Sequence, residues 1–178
     1  LRATTLSARI DRYAEDVQNT LPATRALIMQ VDPQERPENI MKALERLYFE
    51  GDPDQGSSVS KLAGVVLIGE VPLPVVNKSG SRFISMFPYT DFEKKVYLFN
   101  PETNTFDFAP GADSPQPEIW HGVIRPPASV TSREGKEMLA KFFDKNNLYH
   151  EKDPDFSEFG KNIFFNDFEA DAGRRPDI

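Results

Sequence analysis

Cysteine is absent from all 178 residues, which excludes a disulfide, a thiolate metal site and a cysteine nucleophile within this sequence. Histidine is scarce: His121 and His150 are the only 2, and no His-Glu-x-x-His pair exists on which a zinc-peptidase site could be built. No Gly-x-Gly-x-x-Gly run and no Gly-x-Ser-x-Gly elbow occurs. Neither Gly135-Lys136 nor Gly160-Lys161 has the upstream glycine and downstream hydroxyl of a phosphate loop. Long apolar runs are missing too: none approaches the roughly 20 residues of a membrane helix, so no membrane span is expected. The N-terminus lacks the basic, apolar and small-residue zones of a signal peptide. Positive charge is in the minority, 21 Lys and Arg against 28 Asp and Glu for a net charge of −7, and the bases are interspersed among acids. No phosphate-tracking surface results, and nucleic acid is not an expected partner.

What remains is enough for a core: 39% of residues are hydrophobic and 11% aromatic. The expectation is a single α/β domain or subdomain over residues 1–178. The first residue, Leu1, and the polar tail at 171–178 read as a piece of a longer protein.

From residue 5 to 21 the apolar positions Leu6, Ile10, Tyr13, Ala14, Val17 and Leu21 recur at helical spacing. Residues 25–31 (RALIMQV) form a short apolar run ended by Asp32-Pro33, which predicts a first core strand. Pro37 then opens a second helix, with Ile40, Met41, Leu44, Leu47 and Tyr48 on one face and Gly51 at its end. The stretch GVVLIGEVPLP at 64–74 reads as a strand covered on both faces, stopped abruptly by Gly69 and Pro72. Strand, helix and strand in that order predict parallel pairing, hence an α/β class with a mostly parallel sheet flanked by helices.

Lys95 to Phe99 and Thr105 to Ala109 are β-prone runs around Asn100-Pro101-Glu102-Thr103-Asn104, and predict an inserted hairpin over 95–109. Pro117-Glu118-Ile119-Trp120-His121-Gly122-Val123-Ile124 supplies another strand. Thr131-Ser132-Arg133-Glu134 has capping-box spacing and starts a helix whose stripe is Met138, Leu139, Phe142, Phe143, Leu148 and Tyr149. A last strand is expected at 162–168 (NIFFNDF).

Carboxylates are the chemistry-bearing residues in supply. Glu70 follows a core strand directly, where ligands and catalytic groups collect in open α/β sheets. Late in the chain Asp153, Asp155 and Glu158 precede Asp167, Glu169 and Asp171, the oxygen type that calcium takes. The EF-hand spacing is absent, since no glycine stands sixth and no glutamate twelfth, so most of these acids read as solvated surface. Asp167 and Glu169 stand apart because they close an apolar strand. No cofactor is expected, and a structural calcium is the only ion this acidic run leaves open. His121 in a strand reads as a packed or hydrogen-bonded imidazole, and His150 as a solvated cation at a helix end. Asn77-Lys78-Ser79 matches a glycosylation sequon, a three-residue pattern of low specificity.

In this order the chain resembles the first part of the catalytic domain of gingipain-like cysteine peptidases, which have a caspase-like α/β fold. Three stretches carry the resemblance: Leu67-Ile68-Gly69-Glu70-Val71-Pro72-Leu73-Pro74, Phe87-Pro88-Tyr89-Thr90-Asp91-Phe92 and Pro117-Glu118-Ile119-Trp120-His121-Gly122-Val123-Ile124. Together they fall within residues 24–170. Glu70 stands where the family usually has aspartate, and Val123 where it usually has arginine, with Arg125 two positions on. The resemblance implies a peptidase cleft lined by Glu70, Asp91 and Asp167, with Glu169, or Asp167 in its place, as the acid that orients a histidine. It implies a nucleophilic cysteine and a general-base histidine beyond the last strand, in the remainder of the polypeptide, and a peptide or protein substrate. It also implies an extracellular or cell-envelope location.

Two other functions compete. A non-catalytic α/β module could serve binding or cell-surface assembly on the same scaffold, and a small-ligand domain would use strand ends near Glu70, Asp91 and Glu169. A sheet edge left open beside the Ile163 strand would pair with another copy.

Overall fold

The structure, a computed structural model, describes residues 5–21, 24–51, 61–112 and 114–151. It is a mixed α/β chain of three helices and two sheets. Among the described residues no helix is long and apolar enough to cross a membrane. The chain divides into two compact units, Leu1–Ala26 with Lys141–Ile178, and Leu27–Ala140.

In the first unit, α1 (Leu6–Thr20) begins where Thr5 Oγ1 accepts from the Ala8 N–H at 3.2 Å. It packs on the later part of α3 (Ser132–His150). Tyr13 lies 5.3 Å from Phe143 between ring centroids, and Arg9 grips Asp144 in a fork of 2.8 and 3.0 Å. Arg12 reaches the same carboxylate at 3.1 Å. Partners further along α1 meet partners further along α3, Thr20 reaching His150 at 3.3 Å, so the two helices run in the same direction. The Arg9 guanidinium holds the Asp144 carboxyl below the usual carboxylate range.

The second unit is built on α2 (Pro37–Glu50) and β1 (Gly64–Ile68). Pro37 sits at the first helical turn, where its missing N–H costs nothing, and the Gly51 N–H closes the other end on the Leu47 carbonyl at 3.1 Å. The spacing Ile40, Leu44, Tyr48 puts one face of α2 on the core with Leu67, Tyr89, Phe92 and Ile119. β1 pairs in parallel with β6 (Trp120–Ile124), Gly64 beside Trp120 and Ile68 beside Ile124. The Gly69 N–H extends this ladder to the Ile124 carbonyl at 2.9 Å. Within β1 only Leu67 is buried, and the other positions are half-buried. The reason is that β1 has β6 as its one strand neighbour among the described residues.

The second sheet has the order β3-β2-β5-β4. β2 (Val75–Lys78) and β3 (Ser81–Ile84) form a two-residue hairpin through Ser79 (φ 53°) and Gly80 (φ 87°). Two consecutive positive φ angles are what the twist of a tight hairpin asks for, and Gly80 adopts its angle at no steric cost. β4 (Tyr97–Asn100) and β5 (Thr105–Phe108) form the expected hairpin. β5 also pairs in parallel with β2, so this hairpin is half of a sheet. Phe106 and Val76 are fully enclosed where the two hairpins join.

Residues 25–31, expected as the first core strand, form no regular element and pair with no strand among the described residues. Leu27, Ile28 and Met29 are 45 to 48% exposed. A short apolar run becomes a strand only where a neighbour completes its ladder, and among the described residues none does. The helix after the capping box is present: Glu134 Oε2 accepts from the Thr131 N–H at 2.9 Å, and Thr131 Oγ1 accepts from the Glu134 N–H at 3.3 Å. Leu139, Phe143 and Asn147 are its buried line, whereas Met138, Phe142, Leu148 and Tyr149 are exposed. The expected strand at 162–168, with the open edge beside it, lies outside the described residues.

The indole of Trp120, the only tryptophan, lies flat across Gly64, and a Cβ at that glycine would stand 2.0 Å from the ring. Gly64→Ala therefore displaces the indole. The expected outcome is a changed emission maximum of the single tryptophan and a loss of about 1 kcal/mol in stability by urea titration, at the low end for overpacking because the half-exposed ring can swing outward.

Candidate functional site

The site grows from the segment Phe87-Pro88-Tyr89-Thr90-Asp91-Phe92 in the second unit. Pro88 favours a tight turn, and Phe87–Tyr89 is one turn of 3-10 helix. Its end is closed by the Thr90 and Asp91 N–H groups, both donating to the Phe87 carbonyl, at 2.9 and 2.8 Å. Tyr89 is fully buried, and its hydroxyl donates to the Pro72 carbonyl at 2.9 Å. Burial pushes the Tyr89 phenol well above its ordinary value, so it stays a neutral donor. The Thr90 hydroxyl donates back to the Met86 carbonyl at 3.2 Å.

Glu118 then clamps the turn from both sides of Asp91. Its backbone N–H donates to the Thr90 carbonyl at 2.8 Å, and its Oε2 accepts from the Phe92 N–H at 2.6 Å. Asp91 is fixed between these bonds. It is 6% exposed, and neither carboxylate oxygen has a hydrogen-bond partner among the described residues. Desolvation raises the Asp91 carboxyl above its usual value, and the Glu118 charge raises it further. The Lys94 charge and the backbone N–H groups of Lys94 and Gln116 pull the other way without forming a well-aligned bond.

Asp91 borders a cleft of about 310 Å³ whose walls come from α2, β4 and the turn that carries Asp91, including Met41, Phe92, Tyr97 and Phe99. The cations around it are engaged elsewhere. Lys42 pairs with Glu38 at 2.6 Å, Lys95 pairs with Glu45 at 3.0 Å, and the Arg36 guanidinium stacks 5.3 Å above Phe99. Burial and the nearby Asp91 charge push the Tyr97 phenol up.

The other residues singled out from the sequence fall in different places. Glu70 is exposed just past β1 and does not line the cleft, so it is not brought together with Asp91. Asp167, Glu169 and the acidic run at 153–158 lie outside the described residues. His121 is exposed on β6, in place of the packed or hydrogen-bonded setting expected, because β6 turns this position outward. His150 meets Thr20 at the end of α3. The described residues contain no group of three or more metal-ligating side chains. Asn77, first residue of the sequon, donates its amide to Asp107 Oδ1 at 2.9 Å, inside the four-stranded sheet. Glu118, Tyr89 and Tyr97 were not singled out from the sequence. Glu118 and Tyr89 do fall within the quoted motifs, but only the fold shows what they hold.

Two substitutions test this account. Tyr89→Phe leaves the Pro72 carbonyl without its donor and should cost about 1 kcal/mol. Asp91→Asn removes a buried charge and should gain on the order of 1 kcal/mol at neutral pH. Because the folded state binds the Asp91 proton more tightly than the unfolded chain, wild-type stability falls as pH rises through that raised value. The advantage of Asp91→Asn is therefore full above it and disappears below about pH 4, where both states carry the proton. Urea titrations of both proteins across this range read the difference, and a pH-independent difference would contradict it. No family model, curated protein or solved structure matches the chain, so the meaning of this site rests on its own residues.

Proposed function

We propose that the chain is the N-terminal portion of a caspase-like α/β catalytic domain of the gingipain-like cysteine-peptidase type, supplying scaffold and cleft wall but no nucleophile. One observation supports this reading above others: the three stretches that carry the resemblance, far apart in sequence, converge in one unit. The Tyr89 hydroxyl binds the Pro72 carbonyl, Glu118 clamps Thr90 and Phe92, and β1 lies in parallel register with β6. Short motifs that recur for a structural reason should touch in this way.

In this reading Glu70, exposed beside the carboxyl end of β1, stands where a peptide would pass. Asp91 and Glu118 fix the adjoining turn. The attacking thiolate and the imidazole that moves its proton come from polypeptide outside these residues, since the sequence contains no cysteine. Glu169 is the acid that would orient that imidazole. The protein acts on peptides outside the cell or at its envelope.

A second reading, a non-catalytic binding module, draws support from the cleft of about 310 Å³ beside the Asp91 turn. Labelling the full-length native protein with a thiol-directed peptidyl acyloxymethyl ketone separates the two. The peptidase reading expects one labelled cysteine outside residues 1–178, with peptide hydrolysis abolished by its substitution with alanine. It also expects the 178-residue chain alone to be inert. A native protein that takes no label and hydrolyses no peptide leaves the binding module in its place.

A further inference from the structure

The four-stranded sheet ends in an open strand whose chemistry is separate from the Asp91 turn and holds whether or not the chain belongs to a peptidase. We infer that β3 is a docking edge for an extended acidic peptide, which adds to the sheet as a further strand.

The backbone carries the first part of the argument. β3 has β2 on one side and no strand on the other among the described residues, and every residue in it is exposed. The Ser85 N–H donates to the Pro74 carbonyl at 3.1 Å, which fixes the alternation of the antiparallel ladder. Ser81, Phe83 and Ser85 turn their N–H and C=O groups toward β2, and Arg82 and Ile84 turn theirs outward. Those outward groups are what an added strand pairs with. No proline stands in β3 to block them.

The side chains decide which strand fits. On one face the register aligns Phe83 with Val76, Phe106 and Phe99. Val76 and Phe106 are fully enclosed, while Phe83 at the open end is 47% exposed, so an apolar side chain opposite it continues the row. On the other face Arg82 stands beside Asn77 and then Asp107, which is two strands away and already accepts from Asn77 and Asn100. Between Glu70 and Asp91 the sequence has no carboxylate, and its cations there are Lys78 and Arg82. Neither forms an ion pair among the described residues, and Lys78 lies 5.2 Å over the Phe108 ring. In a chain of net charge −7 this hairpin is basic, and the complementary strand brings an acid beside Arg82.

A second copy of the chain is a poor occupant. Antiparallel pairing of β3 with itself, in the registers that overlap most fully, sets the two Arg82 side chains opposite or diagonal to one another on one face. Each copy also carries the same net negative charge.

The test is a titration of the 178-residue protein with a capped heptapeptide alternating valine with glutamate, and separately with one alternating valine with lysine. Alternation puts valine on the Phe83 face and the charge on the Arg82 face. Amide NMR shifts locate binding, and hydrogen exchange reads the edge itself. The glutamate peptide is expected to bind about tenfold more tightly than the lysine peptide. It should also slow exchange of the outward Arg82 and Ile84 amides. Arg82→Glu should reverse the preference between the peptides, and Ile84→Pro, which removes an outward N–H without touching the ladder to β2, should weaken both. Equal binding of the two peptides, binding without protection of those amides, or no binding would each overturn the site. Protection that grows with protein concentration in the absence of peptide would overturn it in favour of a second copy. Should either variant not fold, the wild-type peptide comparison and the exchange pattern decide alone. Failure here leaves the thiol-labelling outcome untouched, so the two proposals fail separately.

Discussion

Glu118 is the residue on which the second unit's site depends. It spends its backbone N–H on the Thr90 carbonyl and its carboxylate on the Phe92 N–H, so the turn is held on either side of Asp91. Two residues later the chain enters β6, whose ladder with β1 begins where the Trp120 N–H meets the Ala63 carbonyl at 3.2 Å. Turn and parallel pair are thereby one construction. The same carboxylate that positions the turn also adds to the cost of ionising Asp91. Positioning and electrostatic penalty come from a single group, and neither can be changed without the other.

The treatment of other acids shows how unusual Asp91 is. Asp107, in the middle of the second sheet, accepts from the side-chain amides of Asn77 at 2.9 Å and Asn100 at 3.0 Å. Asp144 is forked by Arg9 and touched by Arg12. Glu134 closes its capping box, and Glu93 accepts from the Tyr48 hydroxyl at 2.8 Å. In these cases the fold furnishes donors for the charge, whether half-buried as in Asp107 and Asp144 or exposed as in Glu93 and Glu134. Asp91 is more deeply buried than any of them, and the backbone N–H groups of Lys94 and Gln116 that act on it form no well-aligned bond. Departures of this kind collect at functional sites, where local rules give way to another purpose.

Helices were the legible part of the sequence. Pro37, the Ile40-Leu44-Tyr48 spacing and the Thr131-Glu134 box each encode their structure within a few residues, and α1, α2 and α3 follow. The β4 and β5 hairpin was legible for the same local reason. Sheets demand partners that sequence does not name: residues 25–31 have the composition of a strand but no neighbour, and β5 finds β2 across a long separation. The β2 and β3 hairpin had a local sign, Ser79-Gly80 between two β-prone runs, which the sequence reading passed over. Asp91 was visible as part of a motif. Its isolation was not, because burial is a property of everything packed around it.

Gly64 beneath Trp120 also governs how the parallel pair can be misassembled. Sliding β6 by one residue against β1 reverses its faces, which already opposes that error. Sliding by two keeps the faces, and hydrophobic patterning alone would tolerate it. In those registers the indole would come down on Val66 or Leu62 instead of a bare glycine, and it could not lie flat. A missing side chain thus acts as the keyway for the largest one in the chain, discriminating between alignments that have nearly the same polarity.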